Sequence, residues 1–153
     1  MNIEIERKFL INKIPENCKK SIHIKQYYMH IDDNFVQRLR FFNNEKAIIS
    51  LKQNCAGLSR YEFEYEIPLS DAKKIVSISN SNFTEKIRHI IYFDSIKWEI
   101  DEFLGDNKGL LIAEVELESE GQHIALPDWI DSEVTNQNKY FNYNLALKPY
   151  ISW

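Results

Sequence analysis

The sequence predicts a mainly β fold of the α+β type, eight antiparallel strands with a few short flanking helices. Three observations carry this. Side-chain character alternates with period two over most of the chain, hairpin-length turns separate the alternating stretches, and ionisable residues recur in pairs two apart on stretch after stretch. Period two sends neighbouring side chains to opposite faces, so both members of a pair share one face at about 6 to 7 Å. A length of 153 residues suits one domain over 1–153 with its own core, and a chain that is 44% hydrophobic and 27% charged is composed to fold.

The elements follow in order. Ile3, Ile5 and Phe9 alternate with Glu4, Glu6, Lys8 and Leu10, which makes residues 3–10 a strand with one charged face. Similar segments are expected at 22–31, 35–43, 46–54, 59–69, 84–94, 96–104 and 110–119. Asp32-Asp33-Asn34, Asn43-Asn44, Ala56-Gly57 and Gly105-Asp106-Asn107 supply turns, so the strands read as a meander. Between the fifth and sixth strands, Ser70-Asp71 is placed to cap a short helix whose apolar side is Ala72, Ile75, Val76 and Ile78. Residues 126–130 read as a loop or short helix, and 138–147 as a terminal helix stopped by Pro149.

Several function classes are set aside by composition. A net charge of -4 gives no basic field for a nucleic-acid backbone. No apolar run approaches the roughly 20 residues that span a bilayer, and an acidic start at Glu4 and Glu6 is unlike a signal peptide, so no membrane partner and a cytoplasmic location are expected. Cys18 and Cys55 are too few for a disulfide framework. His23, His30, His89 and His123 lack metal-ligand spacing, and no glycine-rich phosphate loop is present. Any phosphate would have to be held by side chains.

The charged pairs are the informative feature. They are Glu4 and Glu6, Arg38 and Arg40, Glu62 and Glu64 with Glu66, Lys86 and Arg88, Glu99 and Asp101, and Glu114 and Glu116 with Glu118, with Lys8 and Lys52 as single cations of matching parity. An ordinary antiparallel sheet with one solvated charged face explains the alternation. It does not explain why acids gather on some strands and bases on others, since like charges two apart on one face repel; a ligand would offset that repulsion. Closing the sheet with these faces inward makes a channel with carboxylates on one wall and Lys/Arg on another. The outer apolar face, including Leu39, Phe41, Tyr61, Phe63, Tyr65, Trp98 and Val115, would then need cover from helices and a second subunit, a possible homodimer. Carboxylates without His or Cys suit a hard divalent ion such as Mg²⁺ or Mn²⁺, and facing cations suit phosphate oxygens. Together they fit a metal-bound polyphosphate and phosphoanhydride hydrolysis.

Glu4-Ile5-Glu6-Arg7-Lys8 matches the E-x-E-x-K signature of the CYTH, or triphosphate tunnel metalloenzyme, superfamily. The resemblance continues through Val36-Gln37-Arg38-Leu39-Arg40, Ser50-Leu51-Lys52, Ser59 to Glu64, Glu85-Lys86-Ile87-Arg88, Trp98 to Phe103 and Ala113 to Glu118, nearly the whole chain. It implies an eight-stranded antiparallel tunnel that binds a triphosphate with a divalent metal. By position it implies Glu4, Glu6 and Glu116 as metal ligands with Glu114 beside them. Lys8, Arg38, Arg40, Lys52, Lys86 and Arg88 would form the triphosphate-binding wall. Glu62, Glu64, Glu99 and Asp101 would orient those cations, hold a second metal or position the attacking water. Tyr28 and Lys139 would stand at the tunnel mouth, while Arg7 and Arg60 read equally as outward salt-bridge partners or ligand contacts. The near-minimal length leaves little room to recognise a nucleoside or thiamine, so the chain resembles small bacterial inorganic triphosphatases, with tripolyphosphate as substrate. An adenylyl cyclase of the same fold, a thiamine or nucleoside triphosphatase and a noncatalytic triphosphate-binding protein are the alternatives.

Overall fold

In the computed structural model, which describes residues 2–153, the expected strands form a closed barrel. They are β1 (Ile3–Ile11), β2 (Lys20–Ile31), β3 (Phe35–Phe42), β4 (Lys46–Gln53), β5 (Ser59–Ile67), β6 (Asn82–Phe93), β7 (Ile96–Phe103) and β8 (Leu111–Glu116), with a short β9 (Ile130–Glu133) added. The helices are α1 (Leu69–Ser79) and α2 (Asn142–Leu147). Asp94 and Ser95 adopt φ of 51° and 62° in the β6–β7 turn, the twist that a two-residue hairpin requires.

The strand order is β5-β4-β3-β2-β6-β7-β8-β1, and β1 pairs with β5 to close the ring. This is two meanders, β2 to β5 and β6 to β8, not the single meander expected from turn spacing. The connections are the reason. The stretch after β1 and helix α1 after β5 are too long for hairpins, so β2 pairs with β6 and β1 sits between β8 and β5. Only Ile3, Glu4 and Ile5 of β1 pair with β5. Farther along, the same edge of β1 is covered by β9, through Phe9 opposite Glu133 and Ile11 opposite Ile130. The loop or short helix expected at 126–130 is therefore irregular chain leading into a strand.

Much of the outer apolar face is covered by the chain itself. Phe9, Ile91, Trp98, Ile100, Ala113 and Val115 are buried beneath Ile14, Cys18, Ile124 and Trp129. Helix α1 lays Ala72, Ile75 and Val76 on Leu39, Phe41 and Ala47. Its first residue is Leu69, preceded by Pro68 with no side-chain cap, so Ser70 and Asp71 lie within the first turn. Ile78, expected on the packed side, is 72% exposed. Leu51, Tyr61 and Tyr65 remain exposed on the outside of β4 and β5.

Inside the barrel, charge does not run the full length. Phe103, Leu110 and Ile112, with Leu10 beside them, pack against Val134, Tyr140 and Leu145 of the C-terminal segment. The expected helix at 138–147 is split into a one-turn 3-10 helix, Asn138–Tyr140, and α2, with Phe141 extended between them at φ -66° and ψ 135°. Lys139 does not reach the barrel interior, because its ammonium sits 4.3 Å from the Trp153 ring centroid and 5.1 Å from that of Tyr140.

Candidate active site

Strand parity and register bring the charged pairs together. Across β1 and β8, Glu6 faces Glu116 and Lys8 faces Glu114. Across β6 and β7, Arg88 faces Asp101, and across β4 and β5, Lys52 faces Glu62. Glu4, Glu6, Lys8, Tyr28, Arg38, Arg40, Lys52, Lys86, Arg88, Glu99, Glu114 and Glu116 all line one cavity of about 1080 Å³, counting its open mouth. Glu62, Glu64 and Asp101 do not line it; Glu62 and Asp101 are withdrawn behind the cations, whereas Glu64 is exposed beside Arg40. Glu66 is turned away to an exposed pair with Lys46.

Each of the six cavity cations named above meets a carboxylate. Arg38 donates to Glu62 at 2.6 Å and to the Ser50 hydroxyl at 3.0 Å, and Arg40 pairs with Glu64. Lys52 pairs with Glu4 and lies 3.6 Å from Glu6. Lys8 lies 3.5 Å from Glu114. Asp101, with no exposed surface, accepts from Lys86 at 2.5 Å and from Arg88 at 2.7 and 2.8 Å, while Arg88 also pairs with Glu99. Ions removed from water need such partners.

Burial sets the protonation of these groups and the neighbours correct it. Burial pushes the Lys86 ammonium down to about 8, only partly opposed by Asp101. It also pushes Arg40 down to about 10, with Arg38 adding to the effect and Glu64 opposing it. For Lys52 burial also lowers, but Glu6 and Glu4 outweigh it and the net shift is upward. Burial would raise the Glu114 carboxyl; Lys8, Arg88, Lys86 and Lys52 together hold it well below the ordinary range. The Tyr28 hydroxyl is raised by burial against the opposing charges of Arg38 and Arg40, and among the described residues its O–H donates to no protein group. It stays protonated and free to donate.

Among the described residues no three His, Cys, Asp or Glu side chains are already drawn together as a metal cage. The donor set nevertheless fits a hard divalent cation. Glu4, Glu6 and Glu116 are all carboxylates, and the Glu116 carboxyl is raised by burial first and then by the charge of Glu4, Glu99 and Glu6. Such crowding is relieved by a cation that takes oxygen ligands.

The chain matches the CYTH domain over residues 2–146. It belongs to the CYTH family. It is 40% identical over 152 residues to an inorganic triphosphatase of Acetivibrio thermocellus, covering 98% of this chain and 97% of that one. An inorganic triphosphatase of Nitrosomonas europaea is 32% identical over 148 residues, covering 94% and 97%. The crystal structure of the inorganic triphosphatase NE1496 superposes with a TM-score of 0.69 at 30% identity, over 94% of this chain and 97% of that one.

The CYTH cavity also contains residues that the sequence reading left open or missed. Arg7 turns outward, bidentate to Glu133 at 2.8 and 2.9 Å, whereas Arg60 turns inward and lines the cavity. Parity would have found Arg60, two before Glu62, and Lys97, two before Glu99. Gln53, Asn54, Thr135, Phe141, Asn142 and Tyr143 also line it. Phe141 is the extended link and Asn142 and Tyr143 open the six-residue α2, so none of the last three carries a period-two signal. Asn142 accepts through Oδ1 from Gln26 at 2.7 Å and from Lys86 at 3.1 Å, which fixes the C-terminal segment to the cavity.

Proposed function

We propose that this CYTH protein is an inorganic triphosphatase that hydrolyses tripolyphosphate to pyrophosphate and phosphate inside its barrel. The observation that carries the reading is the single cavity in which Lys8, Arg38, Arg40, Lys52, Lys86 and Arg88 face Glu4, Glu6, Glu114 and Glu116. The two relatives named as inorganic triphosphatases, matched over nearly their full length, support it.

In this reading the cations bind the phosphate oxygens and spread the charge that builds on the leaving pyrophosphate. Tyr28 donates its free O–H to a phosphate oxygen. Glu62, Glu64 and Asp101, paired with Arg38, Arg40, Lys86 and Arg88, aim those side chains. Glu99 faces the cavity and orients the attacking water. The water oxygen bonds to a terminal phosphorus, the bridging P–O bond breaks, and its electron pair leaves with pyrophosphate. Glu4, Glu6 and Glu116 would hold Mg²⁺ or Mn²⁺, with Glu114 beside them; the ion supplies charge neutralisation on the phosphate oxygens.

The test measures phosphate, pyrophosphate and cyclic AMP from tripolyphosphate, ATP and thiamine triphosphate, with Mg²⁺ or Mn²⁺ and with EDTA. Tripolyphosphate should be turned over with either ion. EDTA, and a Glu6→Gln variant that replaces a charged ligand by an amide of similar volume, should each lower the rate by about 10²-fold or more. Cyclic AMP from ATP would move the assignment to a cyclase, preference for ATP or thiamine triphosphate would change the substrate, and tight binding without turnover would make the barrel a binding site.

A further inference from the structure

Arg60 differs from the other cations around the cavity. Among the described residues every other Lys or Arg on the wall has a carboxylate within 4.0 Å, and Arg60 has none. Its register partner across the β1–β5 seam is Glu4, but Glu4 is engaged by Lys52. The Arg60 guanidinium lies 5.6 Å from the Phe141 ring centroid, and that ring lies 5.6 Å from the Lys8 ammonium. Among the described residues one long contact, 3.4 Å to the Gly57 carbonyl, is the guanidinium's only hydrogen bond, and its Nε is buried with no partner. A desolvated donor with nothing to donate to costs stability, and an aromatic face holds a guanidinium in place without consuming its N–H groups.

We propose that Arg60 is a substrate ligand that reads phosphate chain length. It sits one inner-face step, about 6 to 7 Å, along β5 from Glu62, which holds Arg38. A diphosphate is gripped by the paired cations of the central wall. The third phosphate extends toward the β4–β5 turn and takes the free fork of Arg60, a contact that requires no existing ion pair to open. Phe141 keeps that fork aimed, and this is the role of the extended residue between the 3-10 helix and α2. The inference rests on the triphosphatase reading and adds a specificity residue to it.

Steady-state kinetics on tripolyphosphate, with pyrophosphate as competing inhibitor, should be compared in the wild-type chain, Arg60→Met and Arg60→Lys. Arg60→Met keeps the packed stem and removes the fork. Its KM for tripolyphosphate should rise about ten- to hundredfold, the size of a lost charge-assisted hydrogen bond, while pyrophosphate inhibition stays within about twofold. Arg60→Lys should recover part of the affinity, because charge returns without the planar fork. An unchanged KM, or an equal loss of tripolyphosphate and pyrophosphate affinity, overturns the inference. If Arg60→Met does not fold, the Arg60→Lys comparison decides: a wild-type KM there overturns it, and a raised KM with unchanged pyrophosphate inhibition supports it. A wild-type chain that neither binds nor hydrolyses tripolyphosphate overturns the triphosphatase reading and this inference together, whereas wild-type turnover with unaltered variants overturns this inference alone.

Discussion

Lys86 shows how a residue in the barrel trades solvation for position. It is 2% exposed, bonded to Asp101 and Asn142, and faced by Arg88 and Glu114. Burial is the largest influence and brings its ammonium from 10.5 down to about 8. The sign for stability follows from linkage. Between about pH 8 and the unfolded value near 10.5, the unfolded chain binds a proton at this site that the folded chain has released, so folding gains stability as pH rises through that window. Below pH 8 both states hold the proton and the cost of burying the charge is present in full. The difference in unfolding free energy between the wild-type chain and Lys86→Met, followed by denaturant titration at fixed salt, should therefore shift toward the wild type from pH 8 to pH 10; a pH-independent difference would contradict the burial argument. At this scale the sequence was informative wherever parity governs. The positions of Glu4, Glu6, Lys8, Arg38 and Arg88 follow from counting by two along a strand. What counting cannot give is rank, and Asp101 and Glu62 fall behind the cations because the arginine and lysine chains are long enough to cross in front of them, while Glu64 stays exposed beside Arg40.

At the scale of elements, α2 and β9 were the hard cases, and both are decided by tertiary partners. β9 has four residues and one apolar side chain, too little for a periodic signal, and it forms where the edge of β1 is left open beyond its pairing with β5. The helix expected at 138–147 breaks at Phe141, whose ring lies near both Lys8 and Arg60. α2 alone is six residues, too short to persist by propensity. Its anchor is Leu145, fully buried beside Phe103, Leu110 and Ile112. Leu145→Ala should thus cost about 2–5 kcal/mol by leaving a cavity. It should also loosen the segment that carries Asn142. Denaturant unfolding checks the first effect. A loss below about 1 kcal/mol would mean that the segment collapses onto the gap or packs less firmly than its burial implies.

The whole molecule depends on one short seam. β2 and β6 join the two meanders through nine register pairs, from Lys20–Ile90 to Tyr28–Asn82, whereas β1 and β5 close the ring through three, Ile3–Tyr61, Glu4–Arg60 and Ile5–Ser59. The alternating sequence made the strands and their inward faces legible, and like-charge pairing argued for closure. The partner that closes the ring was not legible, because a period of two is the same whichever strand lies alongside. Cooperative opening begins where few bonds and few buried contacts must be given up. Ile3 and Tyr61 on the seam are 39% and 52% exposed, against 0% for Ile24 and 2% for Lys86 at the β2–β6 junction. Native-state hydrogen exchange should therefore be faster for the seam amides of residues 3–5 and 59–61 than for residues 24–27 and 84–87. Glu4 and Arg60 lie on opposite sides of the seam, so a triphosphate and divalent ion bound between them would tie the two strands and slow exchange there most. Equal protection of seam and junction without ligand would mean that the ring opens as one unit, with Arg60 held by the barrel before any phosphate arrives.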